Sequence, residues 1–229
     1  GGAVVVTSGE GTATSSGVVL IRSSNSGVAG VSGSLLFSSG TSVTGNSGRV
    51  HMGTGAATAG RGGAVVVTVG SGTSGSGGLV QAHAGRSTVH TGGEVHVSSG
   101  EGTATSSGAI TIRSVNAGAA GTSGYLSFSS GSSVTGNSGY IHMGTGVATA
   151  GRGGMVLISV GSGTSSVGGM VQAHAGRSTV HTGGAVVVTS GEGTATSSGV
   201  VLIRSSNSGE AGVSGSLLFS SGTSVTGTS

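Results

Sequence analysis

The sequence predicts an all-β chain wound as a β-solenoid (a β-helix), and three observations carry that expectation. A unit of about 15 residues repeats along the whole length, apolar residues alternate inside it, and glycine punctuates it at fixed places. Gly supplies 53 of the 229 residues, while Pro and Cys are absent. Such a Gly/Ser-rich composition belongs to flexible linkers unless enough apolar surface accompanies it. Here the hydrophobic share is 34%, and much of it is β-branched Val, which favours strands.

The long repeat comes first. Gly1-Gly2-Ala3-Val4-Val5-Val6 returns at Gly92 and again at Gly183, so the long period runs from position 1 to position 92. Residues 1–45 and 183–227 differ only at Val28 against Glu210. One continuous segment, 1–229, therefore divides into long repeats 1–91, 92–182 and a partial 183–229. Within each, shorter units begin at 1, 16, 32, 47, 62 and 77 and at the equivalent positions one and two long repeats further on, so six coils make one long repeat. The step from one start to the next is the same throughout, except that the second coil, from 16 to 32, is longer by one.

Each coil opens with Gly or Ser, and its second place is always Gly: Gly2, Gly17, Gly33, Gly48, Gly63 and Gly78 in the first long repeat. The fourth and sixth places are apolar and trade only like for like between copies. Val4, Val19, Leu35, Val50 and Val65 hold the fourth place; Val6, Ile21, Phe37, Met52 and Val67 hold the sixth. The third and fifth places change freely, with Ala3 becoming Glu94, Val5 becoming His96 and Leu20 becoming Thr111. Size-conserving apolar exchange marks an interior and polar exchange a surface, so the ten named fourth- and sixth-place residues are the expected core. The period of two makes these places a strand.

The rest of the coil is expected to hold a turn, a second, shorter strand and another turn. Small residues such as Gly11, Ala13, Ser42, Thr44, Ala57 and Ala59 would let that second wall approach the first. Coils stacked about 4.8 Å apart would give a long repeat of about 29 Å. Glycines at the corners would supply positive φ angles. Asn25, Asn116 and Asn207 suit corners too, because Asn tolerates the left-handed region. The added residue of the second coil, near Val28, reads as a bulge or longer corner, and Val28 becoming Glu210 implies that this corner is wet.

Charge narrows the function classes. All 8 basic residues are Arg and all 5 acidic residues are Glu, for a net charge of +3. With 6% charged residues there is no field to steer a polyanion, so nucleic acid is a poor partner. No apolar stretch approaches the roughly 18 residues of a membrane helix. The start at Gly1 reads as that of a processed or partial chain. Catalysis on a β-helix of the lyase kind needs clustered carboxylates, and five scattered Glu without Asp do not provide them. No catalytic residue, cofactor or metal site is expected. The seven His, among them His51, His83, His90 and His96, read as exposed polar positions, because nothing nearby completes a set of metal ligands.

Two other sets stand out. Arg86 and Glu101 are one coil apart, as are Arg177 and Glu192, so stacked coils would join them as inter-coil ion pairs that specify register. Val5, Leu20, Leu36, Val66, Leu157, Val187, Leu202 and Leu218 share the outward fifth place and are the candidates for lateral contact with other chains.

The pattern S-G-x-φ-x-φ-x-S-S-G, where φ is apolar, appears as Ser32-Gly33-Ser34-Leu35-Leu36-Phe37-Ser38-Ser39-Gly40. In this style the chain resembles the Gly/Ser/Thr-rich β-solenoid repeat proteins of diatoms and other algae. That resemblance implies a long, secreted surface or fibre protein and supplies no catalytic residues. The expectation is a non-catalytic structural protein, extracellular or at the cell surface, that self-associates into filaments and bears covalent glycans on exposed Ser and Thr. The alternative is an ice-binding or glycan-binding module, for which Thr12-Ala13-Thr14 and its copies at Thr103 and Thr194 are the relevant feature.

Overall fold

The computed structural model describes residues 1–224; the end of the partial third long repeat, 225–229, lies outside the described residues. Among the described residues there is no helix and no strand, which corrects the expected all-β solenoid with two strands per coil. The accessible surface is 22715 Å². A globular chain of 21.0 kDa would expose about 9,000 Å² and a fully extended one about 30,000 Å². The value stands much nearer the second limit. The chain divides into two units, Gly1–Ile112 and Arg113–Ser229, and that boundary falls inside the second long repeat, not at its start.

The short period is nevertheless real in the backbone. In the first long repeat bends occupy positions 12–14, 28–29, 43–45, 58–60, 73–75 and 88–90. They return at 103–105, 119–120, 134–136, 149–151, 164–166 and 179–181, then at 194–196 and 210–212. Between them lie unbent runs, such as 17–23 and 33–39, each covering the second to eighth places of one unit. The expected second strand is the bend: Ala13, Ser42, Thr44, Ala57 and Ala59 all sit in or beside it.

Each bend belongs to a loop whose two ends meet. The amide of Gly17 donates to the carbonyl of Gly9 at 2.9 Å, and the same bond recurs one long repeat on as Gly108 to Gly100 and again as Gly199 to Gly191. Gly93 to Gly85 and Gly184 to Gly176, both 2.8 Å, close the sixth loop of each long repeat. Side chains reinforce the closures: Ser8 Oγ donates to the Gly17 carbonyl at 2.9 Å and Thr54 Oγ1 to that of Gly63 at 3.2 Å. Every one of these bonds is local, and among the described residues no backbone hydrogen bond joins runs one repeat apart. A closure over half a unit restricts the chain less than one over a whole unit, so the shorter loop is the easier to form.

The second-place glycine makes this possible. A Cβ on Gly17 would stand 3.3 Å from Ser8 Cβ, one on Gly33 3.2 Å from Ser23 Cβ, and one on Gly93 3.3 Å from Ala84 Cβ. At Gly78 the added atom would collide with Val69 Cγ1. The eighth-place side chain thus lies over the backbone of the next second-place glycine. Positive φ is a minor theme: among the described residues only Gly75 adopts it, at 108°, and no residue other than glycine does. The corner asparagines are accordingly not left-handed. The longer unit closes differently, with Gly30 donating to Gly27 at 3.4 Å across Val28 and Ala29, an i to i+3 turn repeated at Gly121 and Gly212. Val28 is wholly exposed, so this corner is wet as expected.

Candidate functional site

Among the described residues the runs carry most of the large apolar side chains, and they are open. Among the described residues none is buried, and only Ser8, Gly11, Ser23, Ser87, Gly102 and Gly193 are half-buried, all of them at loops or their closures. The expected core is therefore absent as a core: Val4, Val6, Val19, Ile21, Leu35, Phe37, Val50, Met52, Val65 and Val67 are all exposed. The reason lies opposite them. A solenoid interior needs a second wall, and the residues meant to form it are Gly, Ala, Ser and Thr in bends, too small to offset the ordering of so glycine-rich a backbone.

The period of two survives as a gradation of exposure. Fourth-place side chains from Val19 to Leu217 are 47–61% exposed, whereas the fifth-place Val5, Leu20, Leu36, Val66, Leu157, Val187, Leu202 and Leu218 are 72–85% exposed. The two ranges do not overlap, but the large sixth-place side chains from Ile21 to Phe219, on the same side as the fourth, are 57–77% exposed, so the fourth place is the one distinctly shaded by the rest of its unit. The eighth-place Val69 and Val160, at 46% and 48%, are shaded by the glycines they lie over.

The charged candidates are not brought together. The single acid–base contact among the described residues is His96 Nδ1 to Glu94 Oε1 at 3.9 Å, on one run and well exposed, and no Arg–Glu pair forms. Among the described residues Arg86 does not reach Glu101, nor Arg177 Glu192, and no backbone hydrogen bonds align one repeat against the next. The imidazoles of His51 and His142 fold along their own runs, with Nε2 3.0 Å and 2.8 Å from where a Cβ would stand on Gly53 and Gly144. Among the described residues no group of three or more His, Asp or Glu gathers as a metal site would require. A shallow recess of about 200 Å³ is lined by Arg204, Ser205, Ser206 and Asn207. Thr12-Ala13-Thr14 falls in a bend in each copy, not on a flat face. No helix among the described residues is long and apolar enough to cross a membrane.

No family model, curated protein or solved structure matches the chain. Its own three copies are the comparison it offers. They repeat the same loop bonds from one long repeat to the next, as with Ser42 Oγ accepting from Gly45 N at 3.0 Å and Ser133 Oγ from Gly136 N at 3.1 Å. Ser87 Oγ accepts from His90 N at 2.9 Å, and Ser178 Oγ from His181 N likewise. The loop closure was the feature that the alternating pattern did not reveal. Its signal is the pairing of an unvarying second-place Gly with a mostly small eighth-place residue: Ser8, Ser23, Ser39, Thr54 and Ala84.

Proposed function

We propose that this protein is a non-catalytic structural component of an extracellular or cell-surface filament or sheath, built by self-association of its repeats. The observation that carries this reading is a regular series of apolar run sides left uncovered by the chain that bears them. A surface of this kind in water drives association through the apolar area it removes. The near absence of charge supports it, since 8 basic and 5 acidic side chains in 229 residues offer little mutual repulsion. The composition also supports a non-catalytic role, with no Asp, no Cys and five scattered Glu. The likeness to algal repeat proteins supports secretion, and exposed Ser and Thr are suited to O-linked glycans.

Light scattering and electron microscopy across a concentration series test the reading. The purified chain is expected to form filaments above a threshold concentration. A chain that remains monomeric up to millimolar concentration would overturn the proposal. Peptide mass mapping of native material checks the glycans: Ser- and Thr-bearing peptides found only at their bare masses would remove them from the account.

A further inference from the structure

We infer that the fourth- and sixth-place side of each run is the surface covered by a second copy of this same chain, an inference that rests on the assembly reading above and specifies its seam. Every fourth and sixth place in the chain is apolar, from Val4 and Val6 to Leu217 and Phe219. In a chain that is 34% hydrophobic this uniformity requires a cause. Moreover, the copies exchange these residues only for others of similar size: Leu35, Leu126 and Leu217; Phe37, Phe128 and Phe219; Met52 and Met143. Size matters where a side chain meets a fitted neighbour.

The structure withholds that neighbour within the chain. Fourth-place residues remain about half exposed, and the large sixth-place residues from Ile21 to Phe219 remain 57–77% exposed. The fifth place, by contrast, is not uniformly apolar: beside its Val and Leu residues it accepts His51, Gln81, His96 and Thr111.

The occupant follows from area, charge and repetition. The surface exceeds that of a globular chain of equal mass by roughly 14,000 Å², whereas a stable interface takes about 800 Å² from each partner. No fourth or sixth place carries a charge in any copy, so two such sides meet without burying an ion. A second copy presents the same succession of sizes, with Phe37, Phe128 and Phe219 marking the register once in each long repeat. A partner shifted by one long repeat matches as well as one in register. Each chain can thereby bridge two others, and the contact extends without closing.

The test uses the full chain. A triple variant Phe37→Lys, Phe128→Lys, Phe219→Lys is compared with Leu36→Lys, Leu202→Lys, Leu218→Lys, which adds the same charge at the fifth place. Burying an unpaired ammonium is strongly unfavourable, so the first is expected to raise the threshold for assembly about tenfold or more, and the second by less than about threefold. Equal shifts, or a larger shift from the fifth-place set, would overturn the seam while leaving assembly intact. A wild-type chain that never assembles would overturn both. Because the sequence contains no cysteine, Phe37→Cys and Leu36→Cys each accept a single environment-sensitive dye. Blue-shifted emission on assembly is expected at position 37 and not at 36; the reverse would also defeat the inference.

Discussion

Gly11 shows what a single hydrogen atom in place of a side chain achieves here. A Cβ at this position would stand 2.5 Å from the Thr14 carbonyl oxygen and 2.6 Å from that of Ser15. These oxygens belong to backbone, so they cannot swing aside, and Gly102 and Gly193 meet the same obstacle in the other copies. Gly11→Ala should therefore weaken the closure between Gly9 and Gly17 by about 1–3 kcal/mol. Amide exchange at Gly17 would accelerate about fivefold or more, whereas Gly27→Ala, where nothing stands within 4 Å, would leave it unchanged. Equal exchange in the two variants would refute the steric account. The glycines were legible in sequence as fixed points, but their purpose was not. An absent Cβ serves either a positive φ or a close approach, and the letter is the same for both. Among the described residues only Gly75 uses the first.

At the scale of run and loop, the sequence disclosed the punctuation and concealed the partners. The spacing of the unit starts matches the period of the bends but not their place, since they fall where a second strand was expected, and the residue added near Val28 does produce a distinct turn. What alternation does not state is where the facing wall comes from, so Val4 to Val67 read as a core that the chain alone does not enclose. The loops instead depend on hydroxyls. Ser87 accepts from the amides of both Val89 and His90, at 3.4 and 2.9 Å. Ser87→Ala should cost this loop about 0.5–1.5 kcal/mol, read as faster exchange of the His90 amide, and unaltered exchange would show the hydroxyl to be idle. Arg86→Ala, next door, should shift the Gly85–Gly93 closure by less than about 0.5 kcal/mol because its guanidinium meets no carboxylate. A larger effect would restore the pairing with Glu101 that spacing alone suggested.

For the whole molecule, the decisive quantity is the surface it fails to bury. A globular domain of 229 residues would absorb on the order of 150 kcal/mol on melting. The dilute chain should show no such peak in calorimetry, and assembled material should acquire one; a sharp transition in the dilute monomer would contradict the open structure. The loops, finally, are stored length. The eight steps of chain between Gly9 and Gly17 extend to about 27 Å, so releasing one closure lengthens the chain by about 20 Å. Fourteen loops among the described residues hold roughly 280 Å in reserve, each gated by a hydrogen bond or two or by a van der Waals contact. Under tension such a chain would yield in small steps and re-form them when slack, so that it dissipates a pull before any covalent bond bears it.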